Sequence, residues 1–95
     1  MLFALYCRDR ENAAEVRLAT RAAHLEYAGQ SSQIRMAGPM LSDDGEGMIG
    51  SLFVIEADDI AAARAFNAAD PYTTAGLWAE VRIHPFRWLL PEPRE

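Results

Sequence analysis

From Arg10 to Ala28 the chain runs nineteen residues without a glycine or a proline, and alanine, leucine, glutamate and arginine dominate. A stretch of that composition folds as a helix, because these side chains lose little freedom on a helical backbone. Before it, Leu2 to Cys7 is short, apolar and aromatic, as in a buried strand. Asp9 stands where an N-cap is needed, and Glu11 and Glu15 sit near the positive end of the helix dipole. Ala14, Leu18, Ala22 and Leu25 recur at helical spacing and predict the face that packs on a sheet. Gly29 predicts a left-handed stop, followed by a polar turn over 30–33.

The remainder continues the alternation of strands and helices. Ile34 to Ala37 predicts a brief strand, stopped by Gly38-Pro39, and 42–47 is an acidic loop. Gly50-Ser51 opens Leu52-Phe53-Val54-Ile55, an unbroken apolar run of the central-strand kind. Asp58 or Asp59 caps a second helix reaching about Ala68, with Ala62, Ala63, Phe66 and Ala69 on one stripe. Asp70-Pro71-Tyr72 ends it, since proline disfavours helical geometry at the residue before. Trp78 to Phe86 alternates, with Val81, Ile83 and Pro85 on one side and Glu80, Arg82, His84 and Phe86 on the other. Residues 91–95 form a frayed tail to a single domain over 1–90. The order βαββαβ predicts an α+β, ferredoxin-like fold, with both helices on one face of a four-stranded antiparallel sheet.

Charge and composition narrow the function. The net charge is −5 with no run of basic residues, so neither nucleic acid nor an anionic membrane surface is an expected partner. All nine basic residues are arginines, and without lysine there is no Schiff-base chemistry and no Walker-type phosphate lysine. Cys7 is the sole cysteine, which excludes an intrachain disulfide and a thiolate metal cluster. Two distant histidines, His24 and His84, give no zinc-ligand spacing, and no glycine-rich dinucleotide fingerprint is present. No cofactor is therefore expected. An apolar start that meets Arg8 and Asp9 early lacks signal-peptide character, which predicts a cytoplasmic protein. A domain this small buries roughly 60–65% of its chain surface, and a homodimer would extend that burial.

Several short blocks occur in a telling order: Arg21-Ala22-Ala23-His24-Leu25, Ala37-Gly38-Pro39-Met40, Gly50-Ser51, Asp70-Pro71-Tyr72, Ala75-Gly76 and Pro85-Phe86. In that order the chain resembles the YCII (YciI-like) family from Leu2 to about Leu90. It departs in having Ala22 where members often carry proline, which predicts a straighter helix around His24, and in a short loop before Gly50. The resemblance implies a subunit that pairs into a dimeric α+β barrel, and an active site built on a histidine and an aspartate, here His24 and Asp70. Relatives include a dehydrochlorinase acting on chlorinated hydroxyquinols and, by shape, muconolactone isomerases.

A histidine beside an aspartate is a device for moving protons. Imidazole both accepts and returns a proton near neutrality, and a carboxylate on one ring nitrogen fixes the tautomer. His24 lies late in the first helix and Asp70 directly after the second, so parallel helices would bring them to one end of the domain. Arg21, on a stripe with Arg17 and His24, is placed to hold an anionic oxygen. Gly38, Ser51 and Tyr72 complete the expected substrate-binding set, with Ser51 as a hydrogen-bond donor. Read by spacing alone, a histidine at a helix edge is more often a packed or solvated residue than a catalyst, and an Asp-Pro pair is more often a helix stop. His84 is read as solvated or partner-facing, and Cys7 as an inert core residue. The sequence thus supports a cofactor-free lyase or isomerase of dehydrochlorinase type acting on a small cyclic or aromatic metabolite. Two alternatives stand beside it: a non-catalytic small-molecule-binding or accessory module, and an oxygen-using monooxygenase on the same architecture.

Overall fold

A computed structural model describes residues 1–92. The elements are β1 (Leu2–Asp9), α1 (Ala14–Gln30), β2 (Ile34–Leu41), β3 (Met48–Glu56), α2 (Ile60–Ala69), the short α3 (Pro71–Thr74) and β4 (Trp78–Phe86). The strands form one antiparallel sheet in the order β2-β3-β1-β4, which is the ferredoxin-like βαββαβ arrangement with α3 added. The apolar runs at Leu2–Cys7 and Leu52–Ile55 become the two central strands, flanked by β4 and β2.

Strand alternation builds the core. Phe3, Leu5 and Cys7 of β1 stand opposite Ile55, Phe53 and Ser51 of β3, and all six are buried. From the helix layer, Ala63 and Phe66 of α2 join this cluster and Tyr27 of α1 packs against it. Tyr27 Oη also donates to the Phe66 carbonyl at 2.7 Å, tying α1 to α2. Asp59 is the cap of α2, accepting from Ala62 N–H at 2.8 Å. On β4, Val81, Ile83 and Pro85 pair with Cys7, Leu5 and Phe3 on the helix-covered face, in agreement with the alternation of the sequence.

Several local expectations are corrected. Asp9 does not cap α1; it ends β1, while α1 starts after Ala13 with no side-chain cap. Gly29 lies inside α1, which runs on to Gln30 and stops at an extended Ser31. The inward face of α1 carries Val16, Arg17, His24 and Tyr27, with buried Ala13 just before it, whereas Leu18 and Leu25 are 68% and 47% exposed. Alanine on every side leaves the apolar stripe undefined, and the polar groups of the true inner face are stabilised by partners on other elements, Asp9 for Arg17, Asp70 for His24 and the Phe66 carbonyl for Tyr27. In α2, Ala69 is exposed and Asn67 takes its place inside. Strand β2 continues through Gly38-Pro39, since at the sheet edge a missing N–H need not cost a ladder bond. Of the expected tail, Pro93 to Glu95 lie outside the described residues.

Candidate functional site

Asp70 occupies the junction where α2 ends and α3 begins. Pro71 stops α2 and at the same time fits the first turn of α3. Asp70 Oδ1 accepts from Tyr72 N–H at 2.9 Å, so the carboxylate is the N-cap of α3. The same oxygen lies 2.9 Å from His24 Nδ1, across forty-six positions of chain. Both expectations for this residue therefore hold at once: it is a helix stop, and it meets the histidine. Asp70 is 1% exposed, and its second oxygen, Oδ2, has no hydrogen-bond partner among the described residues.

Because a carboxylate accepts, the His24–Asp70 contact is assigned as Nδ1–H donating to Oδ1, which leaves the lone pair on Nε2. The His24 ring stacks on Tyr72 with centroids 4.0 Å apart and meets Phe53 edge-on at 6.0 Å. Stacking and the Asp70 bond together hold the ring in one orientation. Burial pushes the Tyr72 phenol up, with Arg17 pulling the other way.

Arg17 is the group that sequence reasoning placed on the stripe without giving it a role. It is buried, and it forms a two-pronged pair with Asp9, Nε to Oδ2 at 2.8 Å and Nη2 to Oδ1 at 2.9 Å. Nη2 also donates to Ser51 Oγ at 3.0 Å, and the guanidinium lies 4.8 Å from the Tyr72 ring centroid. Burial works against the Arg17 charge, but the bonds and charge of Asp9 hold it above the usual arginine value. A signal for this pair was present: Asp9 continues the buried parity of Phe3, Leu5 and Cys7, and an acid there calls for a cation.

These side chains open on a cavity of about 580 Å³ between α1 and the β2–β3 side of the sheet. His24, Arg21, Gly38, Ser51 and Tyr72, five of the six expected site residues, line it, and Asp70 is held against His24 without lining it. Arg21 is exposed, as is Gly38 on the edge strand. Arg17, Arg35, Met36 and Phe53 contribute further to the wall. Among the described residues, no aspartate or glutamate lines the cavity. Arg35 is partly engaged elsewhere, donating to the carbonyls of Ser32 and Gln33. Cys7 is fully buried, accepts a 3.5 Å contact from Asn67 Nδ2, and does not line the cavity. His84 sits on the opposite face of the sheet, paired with Ala4.

The YCII-related domain matches this chain over residues 1–87. The chain belongs to the YCII family. Protein YciI of Escherichia coli O6:H1 is 34% identical, over 92% of this chain and 97% of that protein. An uncharacterised Haemophilus influenzae protein is 33% identical over the same shares. Among solved structures, 5-chloro-2-hydroxyhydroquinone dehydrochlorinase (TftG) from Burkholderia phenoliruptrix AC1100, in complex with 2,5-dihydroxybenzoquinone, is 34% identical with a TM-score of 0.82. The likeness spans 92% of this chain and 94% of that one. An antibiotic biosynthesis monooxygenase shares the fold at 16% identity and a TM-score of 0.54. Within the YCII frame, the continuous α1 agrees with alanine rather than proline at position 22. No helix among the described residues is long and apolar enough to cross a membrane.

Proposed function

We propose that this YCII protein is an enzyme of dehydrochlorinase-like lyase or isomerase chemistry, acting through protein side chains on a small cyclic or aromatic metabolite. The observation that carries the reading is the 2.9 Å contact between His24 Nδ1 and Asp70 Oδ1, with the other side of the imidazole left free at a cavity. In this mechanism His24 Nε2 takes a proton from a ring hydroxyl of the substrate. The electron pair left on that oxygen drives tautomerisation as the imidazolium returns the proton to a ring carbon. Where that carbon bears chloride, loss of a second hydroxyl proton through His24 then expels the chloride, and that proton passes to solvent. Asp70 keeps the imidazole in the right tautomer and stabilises the cation that forms. Its position, fixed by the α3 cap, keeps the ring from having to reorganise during the reaction. The likeness to a dehydrochlorinase at 34% identity supports this choice of reaction class.

The test is turnover of 5-chloro-2-hydroxyhydroquinone and related hydroxyquinols, followed by chloride release and by mass spectrometry of the product. The His24→Gln variant is expected to lose about 100- to 10,000-fold in kcat with an unchanged circular dichroism spectrum. Asp70→Asn keeps an oxygen for the α3 cap but loses the carboxylate, so it is expected to fold and to turn over slowly. Full-speed turnover by His24→Gln would refute the mechanism. Binding of every candidate without product would leave a recognition module in its place.

A further inference from the structure

Ser51 is 4% exposed, and its hydroxyl touches Arg17 Nη2 at 3.0 Å. Arginine carries donors only, so Ser51 Oγ accepts in that contact and its own proton points elsewhere. Among the described residues no protein acceptor takes that proton, and Ser51 lines the same cavity as His24 and Tyr72. Arg17 is poorly free to turn away, since Asp9 grips it with two bonds and the rings of Tyr72 and Trp78 lie 4.8 and 5.8 Å from its guanidinium carbon. A fixed cation behind a hydroxyl polarises the O–H outward, and more strongly where water is excluded. The wall agrees with this polarity: Arg17, Arg21, Arg35 and His24 line the cavity of a chain whose net charge is −5.

We propose that Ser51, held and polarised by Arg17 and Asp9, is the donor that receives a phenolate or enolate oxygen of a small ring ligand, with exposed Arg21 supplying attraction from the rim. Ser51 touches the ligand; Arg17 and Asp9 are positioning residues. The proposal rests on the reading of this cavity as the ligand site, but not on proton transfer by His24. The Ser51 bond strengthens as charge develops on the oxygen, so it favours the ionised over the neutral ligand.

Absorbance titration of bound 4-nitrophenol tests it, because the phenolate absorbs visible light and the phenol does not; nitrobenzene serves as the uncharged comparison. The wild type is expected to ionise the bound probe at lower pH than in free solution and to bind the phenolate more tightly than nitrobenzene. Ser51→Ala is expected to weaken phenolate binding about 10- to 100-fold, raise the midpoint by about one to two pH units, and leave nitrobenzene binding unchanged. Arg17→Lys, which keeps charge but loses the fork, is expected to give part of that shift. Circular dichroism establishes that each variant is folded. A wild type with no preference for the phenolate, or a Ser51→Ala variant that keeps the whole preference, overturns the proposal. An unchanged midpoint in folded Arg17→Lys overturns the polarising role. His24→Gln is expected to retain the preference while losing turnover, so this inference and the acid–base mechanism fail separately.

Discussion

Cys7 has no exposed surface, and burial together with the negative charge of Asp70 pushes its thiol from 9.0 up to about 12. Unfolding releases the thiol to titrate at its ordinary value. Between those two values the unfolded chain holds fewer protons than the folded one, so stability is full below the lower value and is lost as pH climbs through the upper. Tyr27 and Tyr72 act with the same sign, both raised first by burial. Urea titrations across this alkaline range are expected to show falling stability, with a shallower slope in Cys7→Ala. The inert character of Cys7 was legible from its place at the end of an apolar run. The approach of His24 to Asp70 came from the resemblance to the YCII family; the placement of both near helix ends allowed it without singling it out. The Arg17–Asp9 pair was not read, because an acid just before a helix looks like a cap and an arginine on a helix looks solvated.

Between elements, the Arg17–Asp9 pair fastens α1 to the end of β1, with side chains only 6% and 8% exposed. Replacing Arg17 by Met leaves Asp9 buried without its cation, and urea unfolding is expected to show a loss of about 3–5 kcal/mol. Adding Asp9→Asn to that variant is expected to recover part of the loss. Gly50 marks a second tight contact. A Cβ there would stand 2.6 Å from Met40 Cε and press on the Cys7 carbonyl oxygen, where β2, β3 and β1 run side by side. Gly50→Ala is expected to cost roughly 1–3 kcal/mol in thermal or urea unfolding, as overpacked sites do. Element order and type followed from periodicity and from the long run free of glycine and proline. Which face of α1 turns inward did not, because its alanines allow more than one stripe and pairing decides among them. The extent of β2 was hidden for a different reason: Gly38-Pro39 breaks a central strand but is tolerated at an edge.

At the scale of the whole molecule, the sheet face away from the helices carries Leu2, Ala4, Tyr6, Leu52 and Phe86, with Tyr6 and Phe86 38% and 42% exposed. We propose that a second copy covers this face, which would enlarge the apolar interior of a chain whose own core is thin. Light scattering at micromolar concentration is expected to give twice the chain mass, and Tyr6→Glu to halve it. A monomeric wild type would remove the proposal. The fold itself was written in the alternation of strands and helices, whereas the surroundings of the cavity depend on contacts between segments far apart in sequence. One carboxylate has a consequence at this scale too. Asp70 holds both a turn of backbone and an imidazole. The α3 cap calls for a side-chain oxygen at that position whether or not any chemistry is done there, so an acid at position 70 is by itself no sign of a working catalyst.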